Sequence, residues 1–276
     1  MASLPMGVWW LAGLVEVPFV GRTVCCKTLA RRTVYTATLT NVSADGSVIV
    51  GTADFGDNPE GCEGLGRRAF RWTAAEGAQN LGTLWGNDSY AYSVSVDGSV
   101  VVGWAFTCRG WVEYARAFRW TVNSGVEALG NLGGCCNMAH GVSADGAVVV
   151  VWAAVPEQCA FRWTQAGGME DLNITYAELL SNGSWLTSAY SISPDGRYIV
   201  GFGWNAPTER FEAFLLDTGF PLRGDVDRNG CVDDTDLLRV LFAFGGQGYR
   251  NEDLNWDSAI DDADLLIVLL NFGSGC

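Results

Sequence analysis

The stretch NVSADGSVIVG (Asn41–Gly51) recurs as SVSVDGSVVVG (Ser93–Gly103), GVSADGAVVVV (Gly141–Val151) and SISPDGRYIVG (Ser191–Gly201). Its aspartates, Asp45, Asp97, Asp145 and Asp195, lie 52, 48 and 50 residues apart. A second element, AFRWT, starts at Ala69, Ala117 and Ala160 and returns altered as AFLLD at Ala213. A third appears as NLGTL (Asn80–Leu84) and ALGNLG (Ala128–Gly133), with MEDL (Met169–Leu172) in its place in the third copy. A period of this length with several short apolar runs per copy predicts propeller blades or a β array. Asp-Gly between two apolar runs predicts a hairpin with both turn residues at positive φ. The runs SVIVG, SVVVG, AVVVV and RYIVG are β-branched and nearly unbroken, as buried strands are. Alternation within AFRWT puts Phe and Trp on one face and Arg on the other. Phe70/Trp72, Phe118/Trp120 and Phe161/Trp163 are therefore read as core, ahead of a carbohydrate-stacking role.

The chain of 276 residues has room for one large or two ordinary domains. Its 35 glycines and 12 tryptophans, with only 17% charged residues, favour a turn-rich β protein. A net charge of −14 argues against nucleic acid or an anionic membrane as partner, because phosphate binding needs clustered Lys and Arg. The acid is concentrated: residues 222–276 hold eleven Asp and Glu against four Arg, a net of −7. This shift sets a boundary near Phe220–Pro221. Nine cysteines without zinc-type spacing suit an exported, mostly disulfide-bonded protein better than a reduced cytosol. The adjacent pairs Cys25-Cys26 and Cys135-Cys136 suit separate partners, and Cys231 and Cys276 stand near the two ends of the acidic module, placed for a bridge. The apolar run from Met6 to Val20 is broken by Glu16, lacks a preceding basic residue and is too short to span a membrane.

The acidic segment repeats itself. Counted from Asp225, oxygen-bearing side chains fall at loop positions 1, 3, 5, 9 and 12: Asp225, Asp227, Asn229, Asp233 and Asp236, with Gly230 at position 6. Twenty-eight residues on, Asp253, Asn255, Asp257, Asp261 and Asp264 repeat the spacing. A twelve-residue calcium loop needs this pattern, since the ion takes about six to eight oxygens around a tight turn. Each loop runs into an apolar, helix-length stretch that ends at glycine. Ser258 replaces the position-6 glycine of the second loop, so that turn is expected to be strained and its site weaker.

Two resemblances follow from these residues. Residues 35–217 resemble the HAF-type extracellular β-repeat, although Arg68, Arg116, Cys159 and Glu212 stand where that family has histidine. Residues 218–276 resemble the type I dockerin module, a pair of calcium loop–helix units. The second resemblance implies Ca2+ at two sites, adding the backbone carbonyls of Cys231 and Ala259 to the ligands above. It also implies a cohesin-type partner on a scaffold or cell-surface protein, read by Asp234, Thr235, Asp262 and Ala263. Calcium would also staple a module too small to bury much core. The expected architecture is a mainly β, propeller-like repeat domain followed by a small all-α dockerin-like domain. Residues 1–34 match neither.

No constellation for catalysis stands out. His140 is the only histidine, and Tyr92 and Tyr190 hold its place in other copies, so it reads as a repeat position. Four equivalent turn aspartates mark fold geometry rather than a unique acid. Asp54, Asp57, Glu60 and Glu63 read as a solvated acidic loop. The sequence thus predicts an extracellular or cell-surface binding protein tethered by its tail, with a glycan or protein as ligand of the β domain. The alternative is a glycan-active enzyme (an O-glycosyl hydrolase) of a polysaccharide-degrading system, which would need a unique carboxylate pair in one pocket.

Overall fold

Sixteen strands and three short α-helices make up the computed structural model, which describes residues 7–11, 37–55, 66–109, 112–130, 134–155, 157–219, 222–248 and 250–276. Cys25-Cys26, Asp57, Glu60, Glu63 and the boundary at Phe220–Pro221 lie outside the described residues.

The repeat is a four-stranded antiparallel sheet, used four times. Strand β1 (Gly7–Leu11) stands apart in sequence. The first sheet is β2 (Ala37–Val42), β3 (Val48–Asp54), β4 (Arg67–Thr73) and β5 (Gly77–Asn80), paired in that order. The second is β6 (Ser89–Val94), β7 (Val100–Arg109), β8 (Val112–Thr121) and β9 (Gly125–Ala128). The third is β10 (Cys136–Val142), β11 (Val148–Val155), β12 (Glu157–Thr164) and β13 (Gly168–Asp171), after which MEDL runs into the single-turn helix α1 (Leu172–Thr175). The fourth contains β14 (Trp185–Ile192), β15 (Tyr198–Asn205) and β16 (Arg210–Asp217), and its outer strand is β1, registered Gly7↔Asp217 to Leu11↔Ala213. Residues 7–11, unassigned in the sequence, therefore belong to the repeat domain. These are propeller-like blades of a mainly β domain.

The turns carry a correction. Only the glycines Gly46, Gly98, Gly146 and Gly196 have positive φ, at 72°, 72°, 71° and 84°. The aspartates do not, because the loop is five residues long rather than two. Asp45 Oδ1 accepts from Ser43 Oγ at 2.6 Å and from Ser47 N at 2.9 Å, and Ser43 Oγ accepts from Val48 N at 2.9 Å. The other three turns repeat this wiring, so the aspartates hold hairpins together.

Adjacent sheets pack through the apolar runs. Val48 and Val50 of the first sheet meet Val101, Phe118 and Trp120 of the second. Val100 and Val102 meet Val149 and Phe161, and Val150 meets Ile199 and Phe214. Phe70, Phe118 and Phe161 are fully buried, as expected for the core, and so is Phe214; of the tryptophans Trp120 is buried, whereas Trp72 and Trp163 are half-buried. Backbone bonds tie the turns together: Ala44 N to Val96 O (3.1 Å), Val96 N to Ala144 O (3.1 Å) and Ala144 N to Pro194 O (2.9 Å). The ladder stops at Pro194, which has no N–H to donate. The AFRWT arginines add to it, Arg71 Nε donating to Gly98 O and Arg119 Nε to Gly146 O. Val50, Val102 and Val150 are 0% exposed, whereas Val200 on the fourth sheet is 37% exposed. That face, with Trp185, Phe202 and Phe211, is the bare end of the stack.

The tail holds two helices, α2 (Asp234–Ala243) and α3 (Asp262–Asn271), over a core of Val226, Val232, Val240, Ile260 and Val268. Its two halves clasp each other reciprocally. Val232 in the first loop exchanges backbone bonds with Gly273 and Ser274 after α3, and Ile260 in the second exchanges them with Gly245 and Gly246 after α2. The Cys231–Cys276 disulfide closes the module, with Cα atoms 4.7 Å apart. Cys135 and Cys136 are thiols, where separate disulfide partners were expected for the adjacent pair, and burial together with its neighbour raises the pKa of Cys136. No described helix is long and apolar enough to cross a membrane.

Candidate metal centre

The first loop gathers its carboxylates. Asp225, Asp227 and Asp236 each place an oxygen within 4.8 Å of the others, and Asp225 and Asp236 are 4% and 0% exposed. Backbone N–H groups bend the chain into this shape. Asn229 N and Gly230 N donate to Asp225, Val226 N and Asp227 N donate to Asp236 Oδ1, and Asp233 N donates to Asp236 Oδ2. Gly230 takes φ 90°, the left-handed turn that position 6 requires. The second loop repeats the bonds in register: Asp253 accepts from Asp257 N and Ser258 N, and Asp264 from Leu254 N, Asn255 N and Asp261 N. Ser258 is held at φ 73°, the strain its sequence position predicts.

The remaining candidates divide. Asp233 and Asp261 cap α2 and α3, each in a reciprocal capping box with Asp236 or Asp264. Asn229 Oδ1 accepts from Cys231 N at 2.8 Å. In the second loop Asn255 Nδ2 donates to Asp257 Oδ2 at 2.8 Å, and Asp257 Oδ1 accepts from Ala259 N. Asp234, Thr235, Asp262 and Ala263 are exposed on the first turns of the helices.

Burial and like charge act on the first aspartate of each loop. Burial, and then the charge of Asp236, raise the pKa of Asp225; burial and then Asp264 raise that of Asp253. Among the described residues no Lys or Arg pairs with Asp225, Asp236, Asp253 or Asp264; Arg239 comes only to 4.0 Å from Asp227. Backbone N–H donors, not a basic side chain, face the carboxylates of Asp225 and Asp236. Carboxylate and amide oxygens in a tight loop are a donor set that fits a hard divalent ion.

His140 occupies a β-bulge that every sheet has between its first two strands, at Thr40, Tyr92, His140 and Tyr190. Its ring lies 5.3 Å from that of Tyr92 and 5.2 Å from that of Tyr190. Burial lowers its pKa to about 4, so it is a neutral packing element near neutral pH. Sequence reasoning missed the fourth residue of each loop, Arg228 and Trp256, both at φ 60°. A non-glycine residue in that conformation leaves no mark in the spacing of ligands.

No protein-family model matches the chain, and no curated protein matches it. Solved structures overlap it weakly. TolB from Agrobacterium tumefaciens is 15% identical with a TM-score of 0.46, over 67% of this chain and 63% of that one. TolB from Acinetobacter baumannii is 16% identical with a TM-score of 0.39, over 64% and 42%. The chain thus spans less than two thirds of either. Overlaps of this quality say nothing about activity, and the blades are defined by their own strand pairing.

Proposed function

We propose that this is an exported, non-catalytic docking protein whose calcium-loaded tail attaches a propeller-like domain to a cohesin-type partner. One observation carries the reading. Each of two equivalent units buries a pair of aspartates at the start of a helix whose outer face is apolar and bare. Leu238, Leu241, Phe242 and Phe244 on the first unit are matched by Leu266, Leu269, Leu270 and Phe272 on the second, and Phe242 and Leu270 are 86% and 75% exposed. Apolar patches of this kind mark interaction sites on soluble proteins.

The side chains of Asp225, Asp227, Asn229 and Asp236 and the carbonyl of Cys231 would hold the first ion. Asp253, Asn255, Asp257 and Asp264, with the carbonyl of Ala259, would hold the second. Bound calcium would supply positive charge between buried carboxylates and so stabilise the fold around it. Asp233 and Asp261, the position-9 members of the two sets, cap the helices through Oδ1 and would offer the ions their second oxygen. The Cys231–Cys276 bridge supports an oxidising compartment outside the cytosol.

The test is capture of the full chain on immobilised type I cohesin modules, in calcium and in chelator. Calcium-dependent retention is expected. Equal retention in chelator, or none on any module, removes the docking half of the reading.

A further inference from the structure

Arg228 and Trp256 are the fourth residues of the two loops, and both stand against the hairpin turns of the β domain. Arg228 places a guanidinium nitrogen 2.7 Å from Asp145 Oδ2. Asp145 spends its other oxygen inside its own turn, on Ser143 Oγ at 2.6 Å and Ala147 N at 3.0 Å. Trp256 shares one cleft with Asp97 and Asp145, and a second with Asp195 and Arg228. Three of the four turn aspartates therefore face the tail. The tail brings Asp225 of its first loop to the cleft of Asp195, with Arg223 and Arg228, and Glu252 to the cleft of Asp97 and Asp145, with Arg250; of these cations Arg228 pairs with Asp145.

We propose that the tail docks on the hairpin face of the propeller-like domain through Arg228 and Trp256, and that cation binding in the first loop is coupled to this docking. The coupling rests on the calcium reading above. A loop with its carboxylates unneutralised repels Asp145 and Asp195; a dication removes that repulsion and fixes the backbone that presents Arg228. Binding therefore favours docking, and by reciprocity docking favours binding. Docked, the tail would hold its outer helix faces at a set orientation to the β domain.

Asp145→Asn tests this cleanly, because Asp145 lies outside the loop and Asn preserves the acceptor that the turn uses. Calcium titration of the full chain by calorimetry should show the first site weakened about two- to fivefold, the range for a modest ion pair. Arg228→Gln should weaken it similarly, and the double variant no further. Asp45→Asn, the same change in a turn that pairs with no tail residue among the described residues, should leave the affinity unchanged. Small-angle scattering should show the wild type expanding in chelator. If calcium binds but Asp145→Asn, Arg228→Gln and chelator alter neither affinity nor compactness, the coupled dock is wrong and the calcium reading stands. If the wild type binds no calcium, both fall.

Discussion

The carboxylates of Asp225 and Asp236 lie within 4.8 Å of each other and are almost wholly shut off from water. Asp236 also caps α2 through Asp233 N and pins Val226 N and Asp227 N, so one side chain joins helix start, loop entry and candidate ion site. Replacing Asp236 by Asn keeps an acceptor oxygen for Val226 N and Asp227 N, sets an amide NH2 against Asp233 N, and removes the charge. The expected outcome is loss of the first calcium site with the second retained, read as one ion in place of two by calorimetry.

Ser258 predicts a gain. At φ 73° a side chain is strained where glycine is not. Ser258→Gly should stabilise the calcium-loaded protein by about 1 kcal/mol, within the range for relieving such a conformation. It should also tighten the second site. Urea unfolding in calcium, comparing midpoints at equal slope, measures the first effect.

His140 predicts a pH dependence. Its pKa is about 4 in the fold against an ordinary 6.5, so the unfolded chain takes up the proton first as pH falls. The stability from the neutral ring is complete above 6.5 and is lost as pH drops from 6.5 towards 4. The loss is at most about 3 kcal/mol. His140→Tyr, matching Tyr92 and Tyr190, should flatten the stability profile in that window. A slope equal to wild type would mean His140 is not its source.

Phe118 and Phe211 should separate core from surface. Phe118 is 0% exposed between the first and second sheets, and Phe118→Ala should cost about 3–5 kcal/mol. Phe211 is 51% exposed on the bare fourth sheet, and its truncation should cost no more than about 1 kcal/mol. Thermal unfolding of the two variants side by side decides it.

Much of this was legible in the residues. The four blades announce themselves because each must repeat one turn and two buried runs at a fixed period. The loop oxygens are equally plain, since ligand spacing is a local property. The outer strand β1 was not, because GVWWL carries no repeat motif and finds its partner at the far end of the domain. The turn geometry was misread because Ser43 and Asp45 extend the hairpin loop beyond the Asp-Gly pair. Asp233 and Asp261 read as ligands by spacing, and the structure adds a helix-capping role that uses one carboxylate oxygen of each, Oδ1. The Arg228–Asp145 contact joins distant segments and had no local signature.

The central claim is that the tail is a two-site calcium module, and calorimetric titration of the full chain with calcium tests it most directly. The account predicts two bound ions, the weaker in the Ser258 loop. No bound ion, at concentrations where the protein is folded, would contradict it.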